Sequence, residues 1–164
     1  MCGRYQFSTS EYKEFQQIVR DSQRRSGQHN ELNFPMAGDI APTAIAPVLI
    51  ASGNKVVAEF QRWGIPGWRG GLMINARAET AADKPTFSTA LQQTRCVIAA
   101  SSFYEWNAQK QAFLFENAAE DTPLYLAGLY TQDTDGQERF VILTREANDA
   151  VSPVHSRMPC LLPN

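Results

Sequence analysis

The sequence predicts an α+β domain built on a mostly antiparallel, partly closed β-sheet or barrel with a few short helices. Three observations carry this. Short segments that alternate or run apolar recur along most of the chain and are bounded by turn residues. Only two or three stretches show helical periodicity. No strand–helix–strand alternation of the kind that builds a parallel sheet appears. At 164 residues, with 43% apolar and 20% charged residues, the chain suits one domain spanning 1–164 with a real core.

In chain order, Cys2–Phe7 reads as a strand. Ser8 and Glu11 have the S-x-x-E spacing of a capping box. Behind it Tyr12, Phe15, Ile18 and Val19 recur at helical spacing, and that helix should fade by Gly27. Residues 26–43, polar and then proline-bearing, read as a connector. Ala44–Ser52 and Lys55–Trp63 form a hairpin about Ser52-Gly53-Asn54-Lys55. Gly64–Gly71 is an ordered Gly/Pro-rich loop holding Trp68. Pro85–Gln93 is a short helix. Strands follow at Arg95–Ala100, Ser102–Trp106, Gln111–Glu116, Leu124–Tyr130 and Glu138–Thr144, with a further short helix over Glu146–Val151.

The totals exclude several classes. A formal net charge of -2 rules out coating nucleic acid by bulk charge, so any nucleic-acid site must be a local patch. Three cysteines without paired spacing suit a reducing compartment rather than a disulfide scaffold. Two histidines without ligand spacing give no zinc motif and no other metal or organic cofactor is expected. No secretory signal region or apolar run of about 18 residues appears, so the chain is expected in the cytoplasm or at the nucleoid, with no membrane contact.

Cys2, directly behind Met1, is the residue most open to chemistry. Methionine removal before a small residue would leave an amine and a thiol on adjacent carbons, with unperturbed pKa values of roughly 7.7–8.0 and 8.5. Modest tuning would make both nucleophilic near neutrality. Such a 1,2-aminothiol can attack an acyl carbonyl, or capture an aldehyde as a Schiff base that the thiol closes into a thiazolidine.

Further along, Phe60–Ala78 lacks acidic residues but holds Arg62, Arg69 and Arg77 with Trp63 and Trp68. Arginine makes bidentate phosphate contacts and tryptophan offers a face for an unpaired base. Trp106 could add a second face. On a strand over Ser102–Trp106, Phe103 and Glu105 share one face while Tyr104 and Trp106 share the other. A carboxyl among aromatics should hold its proton to higher pH and so shuttle protons. His155 can protonate a leaving hydroxyl, and Asn75 can orient a hydroxyl or carbonyl. His29 and Arg24-Arg25 read as a solvated face, and Cys96 as a core thiol.

Met1-Cys2-Gly3-Arg4, Trp63-Gly64-Ile65-Pro66-Gly67-Trp68, Asn75-Ala76-Arg77-Ala78-Glu79-Thr80, Arg95-Cys96-Val97-Ile98, Phe103-Tyr104-Glu105-Trp106 and His155-Ser156-Arg157-Met158-Pro159 closely resemble the SOS-response-associated peptidase (SRAP) family. The resemblance implies a DNA-damage-response sensor of abasic sites in single-stranded DNA that forms a covalent thiazolidine crosslink through Cys2. It also implies an autocatalytic-type peptidase or hydrolase label with lyase-like Schiff-base chemistry. Carried over, Cys2 is the nucleophile, Glu105 the proton shuttle, His155 the residue that assists ring opening and Asn75 the one that holds the sugar or amine. Arg4, Trp68, Arg77, Trp106 and Arg157 become the DNA contacts. The expected partner is single-stranded DNA containing abasic sites, met by a monomer. Ser102 stands where the family usually has glycine, and family domains generally continue beyond the point where this chain stops, so C-terminal elements are expected to be lacking. The rival reading is an N-terminal-nucleophile cysteine amidohydrolase or peptidase, and a plain DNA-binding module is a third.

Overall fold

The computed structural model describes residues 2–26, 37–67 and 70–163. Trp68, Arg69 and the His29 stretch lie outside them. Thirteen strands and two α-helices are present among the described residues, with a 3-10 turn at Ala81–Asp83: β1 Tyr5–Ser8, α1 Lys13–Arg25, β2 Ala37–Ile40, β3 Ile45–Ser52, β4 Lys55–Trp63, β5 Ile65–Pro66, β6 Leu72–Met73, β7 Asn75–Arg77, α2 Pro85–Gln93, β8 Arg95–Ala100, β9 Ser102–Trp106, β10 Ala112–Phe115, β11 Leu124–Gln132, β12 Glu138–Glu146 and β13 Arg157–Pro159.

Two sheets share the core. The smaller runs β10-β9-β1-β2, antiparallel throughout. In the larger, β11, β8, β3, β4 and β12 pair in that order, and β11 pairs back onto β12, so the pairings run in a ring. The α+β class with a partly closed, mostly antiparallel sheet therefore holds. Two pairings are parallel, β12 with β4 and β12 with β7. β5 and β6 form a small separate pair.

Strand alternation explains how the core divides. β12 is buried on both faces from Phe140 to Thr144. Phe140 and Ile142 point into the main cluster with Trp63, Ile98 and Leu126. Val141 and Leu143 point the other way, onto Phe87 and Ala90 of α2. α1 turns Phe15, Ile18 and Val19 into the main cluster. Aromatic pairs tie the layers together: Phe7 stacks on Phe15 at 4.5 Å, Tyr5 tilts against Trp63 at 5.4 Å, and Trp63 stacks on Phe140 at 6.1 Å. In the β3–β4 hairpin Gly53 takes a φ of +61°, the left-handed first corner that a two-residue turn requires.

Several expectations are corrected. Ser8 does not cap α1: it ends β1, donates its N–H to Ser101 Oγ and shares its hydroxyl with Ser10, while the helix begins at Lys13 behind Tyr12 without a side-chain cap. Glu146–Val151 is not helical. β12 runs on to Glu146 because β13 pairs with it, and Asn148 Oδ1 then accepts the N–H groups of Ala150 and Val151 in a turn. The 26–43 connector contains β2, since Ile40 is buried opposite Tyr5.

Gly128 is where strands approach most tightly. A Cβ there would stand 2.8 Å from Val141 O and 2.9 Å from Cys96 Sγ. Backbone on one side and core on the other cannot both yield, so Gly128→Ala should cost about 1–3 kcal/mol of stability. Urea denaturation should show a lower midpoint at an unchanged slope; a midpoint equal to that of the parent would contradict this packing.

Candidate active site

The site is assembled where β1 meets β9. Tyr5 pairs with Phe103 and Gln6 with Ser102, and Tyr104 N–H donates to Arg4 O at 3.0 Å. This register lays Cys2 beside the far half of β9. Alternation on β9 falls as the sequence predicts: Phe103 and Glu105 are buried and Tyr104 and Trp106 half-exposed. Glu105 is only 1% exposed.

Cys2 is fully buried, and its Sγ lies 3.8 Å from Arg4 O, a weak S–H donation. Burial, with the nearby Glu105 charge, pushes the thiol up to about 12. In the Met1-bearing chain desolvation of the thiolate outweighs everything that would lower its pKa; the sequence expectation concerns the Met1-trimmed terminus. Glu105 is raised as expected. Burial is the main cause and outweighs the neighbouring groups that oppose it. His155 Nδ1 lies 3.8 Å from Glu105 Oε2, with the imidazole partly exposed. Its backbone is set by the preceding turn, where His155 N–H donates to Val151 O, and its Nδ1 accepts the Arg157 N–H at 3.0 Å. A buried carboxyl thus meets solvent through an imidazole.

The structure brings Cys2, Glu105 and His155 together. Asn75 stands on β7 of the larger sheet, with Nδ2 3.5 Å from Ile142 O and a buried Oδ1 that has no hydrogen-bond partner among the described residues. β7 is joined to this neighbourhood through Trp63, whose indole N–H donates to Ile74 O and whose ring touches Tyr5.

The outer face of the small sheet carries a different set. The Arg4 guanidinium lies 5.8 Å from the Tyr104 ring centre and 5.5 Å from that of Trp106, and 3.6 Å from Asp39. Ser102 Oγ donates to Gln6 Oε1, which turns the Gln6 amide N–H groups toward Tyr104 Oη and Asp39. The departure from glycine at Ser102 is thus accommodated inside this network. Arg77 is exposed at the end of β7, and Trp68 lies outside the described residues. Arg157 and Trp63 do not take their expected places. Arg157 is paired with Glu79 and Thr144 rather than offered to solvent. Trp63 is fully buried core and presents no face for a base. Arg62 is bound to Thr43 O and Gln137. Sequence reasoning missed Tyr104, although its place two residues before Trp106 already put both on one face; Glu79 lay inside a quoted motif without a role, and nothing local marked Asp39.

Among the described residues no group of three or more His, Cys, Asp or Glu side chains could hold a metal ion, and no helix is long and apolar enough to cross a membrane. A family model described as SOS response associated peptidase (SRAP) matches residues 1–164. The chain belongs to the SRAP family. Among its relatives, abasic site processing protein YoqW of Bacillus subtilis (strain 168) is 32% identical, over 99% of this chain and 76% of that protein. Abasic site processing protein YedK of Escherichia coli (strain K12) is 28% identical, over 99% of this SRAP chain and 75% of its own length. A solved structure from Bordetella bronchiseptica superposes with a TM-score of 0.70 at 24% identity, over 99% of this chain and 84% of that one, a likeness of fold.

Glu105 gives a stability test. Its folded-state pKa lies above its ordinary 4.5, so the protonated form favours folding. That contribution is fully present below about 4.5 and is lost as pH rises through the folded value. Glu105→Gln should therefore melt above the parent at about pH 7, with the gap closing near pH 4. A variant that melts below the parent at pH 7 would show that the charged carboxylate is the stabilised form.

Proposed function

We propose that this SRAP domain captures abasic sites in single-stranded DNA as a covalent thiazolidine at residue 2. Removal of Met1 frees the Cys2 amine. The amine attacks the aldehyde carbon of the ring-opened deoxyribose, and the resulting carbinolamine loses its hydroxyl as water to leave a Schiff base. The thiol then adds to the imine carbon, its proton passing to Glu105 and on to the ring nitrogen. One water is released overall and no oxidant is consumed. Glu105, reluctant to ionise, protonates the departing hydroxyl, and His155 exchanges that proton with solvent. Asn75 offers its unpaired Oδ1 to the amine or a sugar hydroxyl. Arg4, Arg77, Trp68 and Trp106 hold the flanking DNA.

The observation that carries this reading is the burial of Cys2 beside Glu105 and the Glu105–His155 contact. The names of the relatives, abasic site processing proteins, support it. The same burial counts against the amidohydrolase rival. Desolvation disfavours the thiolate that an acyl attack needs, whereas aldehyde capture begins at the amine.

The test is single-turnover reaction of Met1-trimmed protein with an abasic single-stranded oligonucleotide. The parent should give a heat-stable adduct, and Cys2→Ala only a Schiff base trappable by borohydride. Glu105→Gln should be slower by about 10²-fold. Heat-stable adduct from Cys2→Ala at parental yield would refute the thiazolidine. On undamaged single strands, affinity should fall with salt at a slope of about 0.7 per phosphate neutralised, and Arg77→Ala should remove about one such contact. A salt slope that Arg77→Ala leaves unchanged would remove Arg77 from the interface.

A further inference from the structure

Arg157 and Glu79 form the best-aligned ion pair near the site, and the proposed chemistry uses neither. The Arg157 guanidinium meets both carboxylate oxygens of Glu79 at 2.8 Å and Thr144 O at 2.7 Å. Its side chain is 13% exposed, against 47% for Glu79. The topology shows what this pair joins. β7 lies against one side of β12, with Arg77 opposite Thr144, and β13 lies against the other, with Arg157 opposite Glu146. Glu79 follows β7 by two residues. The ion pair therefore closes across the end of β12 and couples the strand that carries Asn75 to the strand that His155 precedes.

The consequence for His155 is local. Arg157 N–H donates to His155 Nδ1 at 3.0 Å, and Arg157 O stands 3.1 Å from the same nitrogen. An N–H donor at Nδ1 requires a lone pair there, so the neutral ring carries its proton on Nε2. When the ring takes a second proton at Nδ1, Arg157 O is placed to accept it. One backbone unit thus serves both protonation states, provided that it is held still.

We propose that Glu79 is a positioning residue for His155: by gripping the Arg157 guanidinium against Thr144 it fixes the Arg157 backbone, and with it the tautomer and placement of the imidazole beside Glu105. This rests on the reading above that His155 moves protons. The bonds from Arg157 hold the Glu79 carboxyl down to about 2, so the grip stays charged at any working pH. A bidentate fork suits the task better than a point charge, because it fixes orientation as well as distance.

The experiment has two arms, each on Met1-trimmed protein. In the first, a His29→Gln background leaves His155 as the one histidine, and its ring nitrogens are followed by 15N NMR. With the ring neutral, the parent should show a bare Nδ1 and a protonated Nε2. Glu79→Gln, isosteric and uncharged, should give exchange between tautomers, and Glu79→Asp should restore part of the parental pattern. In the second, adduct formation by Glu79→Gln should slow by about ten- to a hundredfold, the scale of a misplaced catalytic group, with unchanged affinity for undamaged single strands. An identical ring spectrum in Glu79→Gln overturns the proposal. So does a steeper salt slope for Glu79→Gln, which would show Arg157 released to bind phosphate. If the parent forms no adduct at all, the abasic-site reading fails, while the NMR arm still decides the positioning role.

Discussion

The pairing of β1 with β9 is the constraint on which the site depends, and it is short: Tyr5 with Phe103 and Gln6 with Ser102. A slip of one residue would exchange every side chain between the two faces. It would turn Arg4 and Gln6 into the core and Tyr5 and Phe7 into water. The register is pinned from both sides. Inside, Tyr5 meets Trp63 and Phe7 stacks on Phe15. Outside, Ser102 Oγ holds the Gln6 carbonyl oxygen, while Ser101 N–H donates to Gln6 O and Tyr104 N–H to Arg4 O. Cys2 reaches Glu105 because this register admits no alternative.

Alternation then divides labour across the sheet. The inner face of β9 gives Glu105 to a buried cluster with Cys2, where desolvation raises both groups. The outer face gives Tyr104 and Trp106, with Arg4 over both, to a surface where charge and stacking count. Two kinds of chemistry that need opposite dielectric environments are thus a single strand apart. His155 crosses between them, near buried Glu105 yet partly in water.

Much of this was legible in the sequence, and what was not has physical causes. Pro85 and the polar Thr94 bracket α2, and the alternation in Arg95–Ala100 and Ser102–Trp106 is long enough to fix strand and face, so these limits agree with the structure. β2, β7 and β13 span three or four residues each, too few for a period, and exist because neighbours pair with them. Trp63 looked like a stacking face only because residues near in sequence were taken as near in space; Ile74 and Tyr5 bury it. The inward turn of Glu105 could be read from its place on a strand. Its contact with His155, 50 positions on, and the commitment of Arg157 to Glu79 are products of tertiary structure alone.

The central claim is that both heteroatoms of residue 2 bond to one aldehyde carbon. The most direct measurement is intact mass of the adduct between Met1-trimmed protein and an abasic single-stranded oligonucleotide, combined with alkylation of thiols under denaturing conditions. The chain has three cysteines, all free. The account predicts a mass equal to protein plus oligonucleotide less one water, with two alkylable thiols remaining. An adduct of that mass that still alkylates at all three would leave the Cys2 sulfur outside the bond and contradict the account.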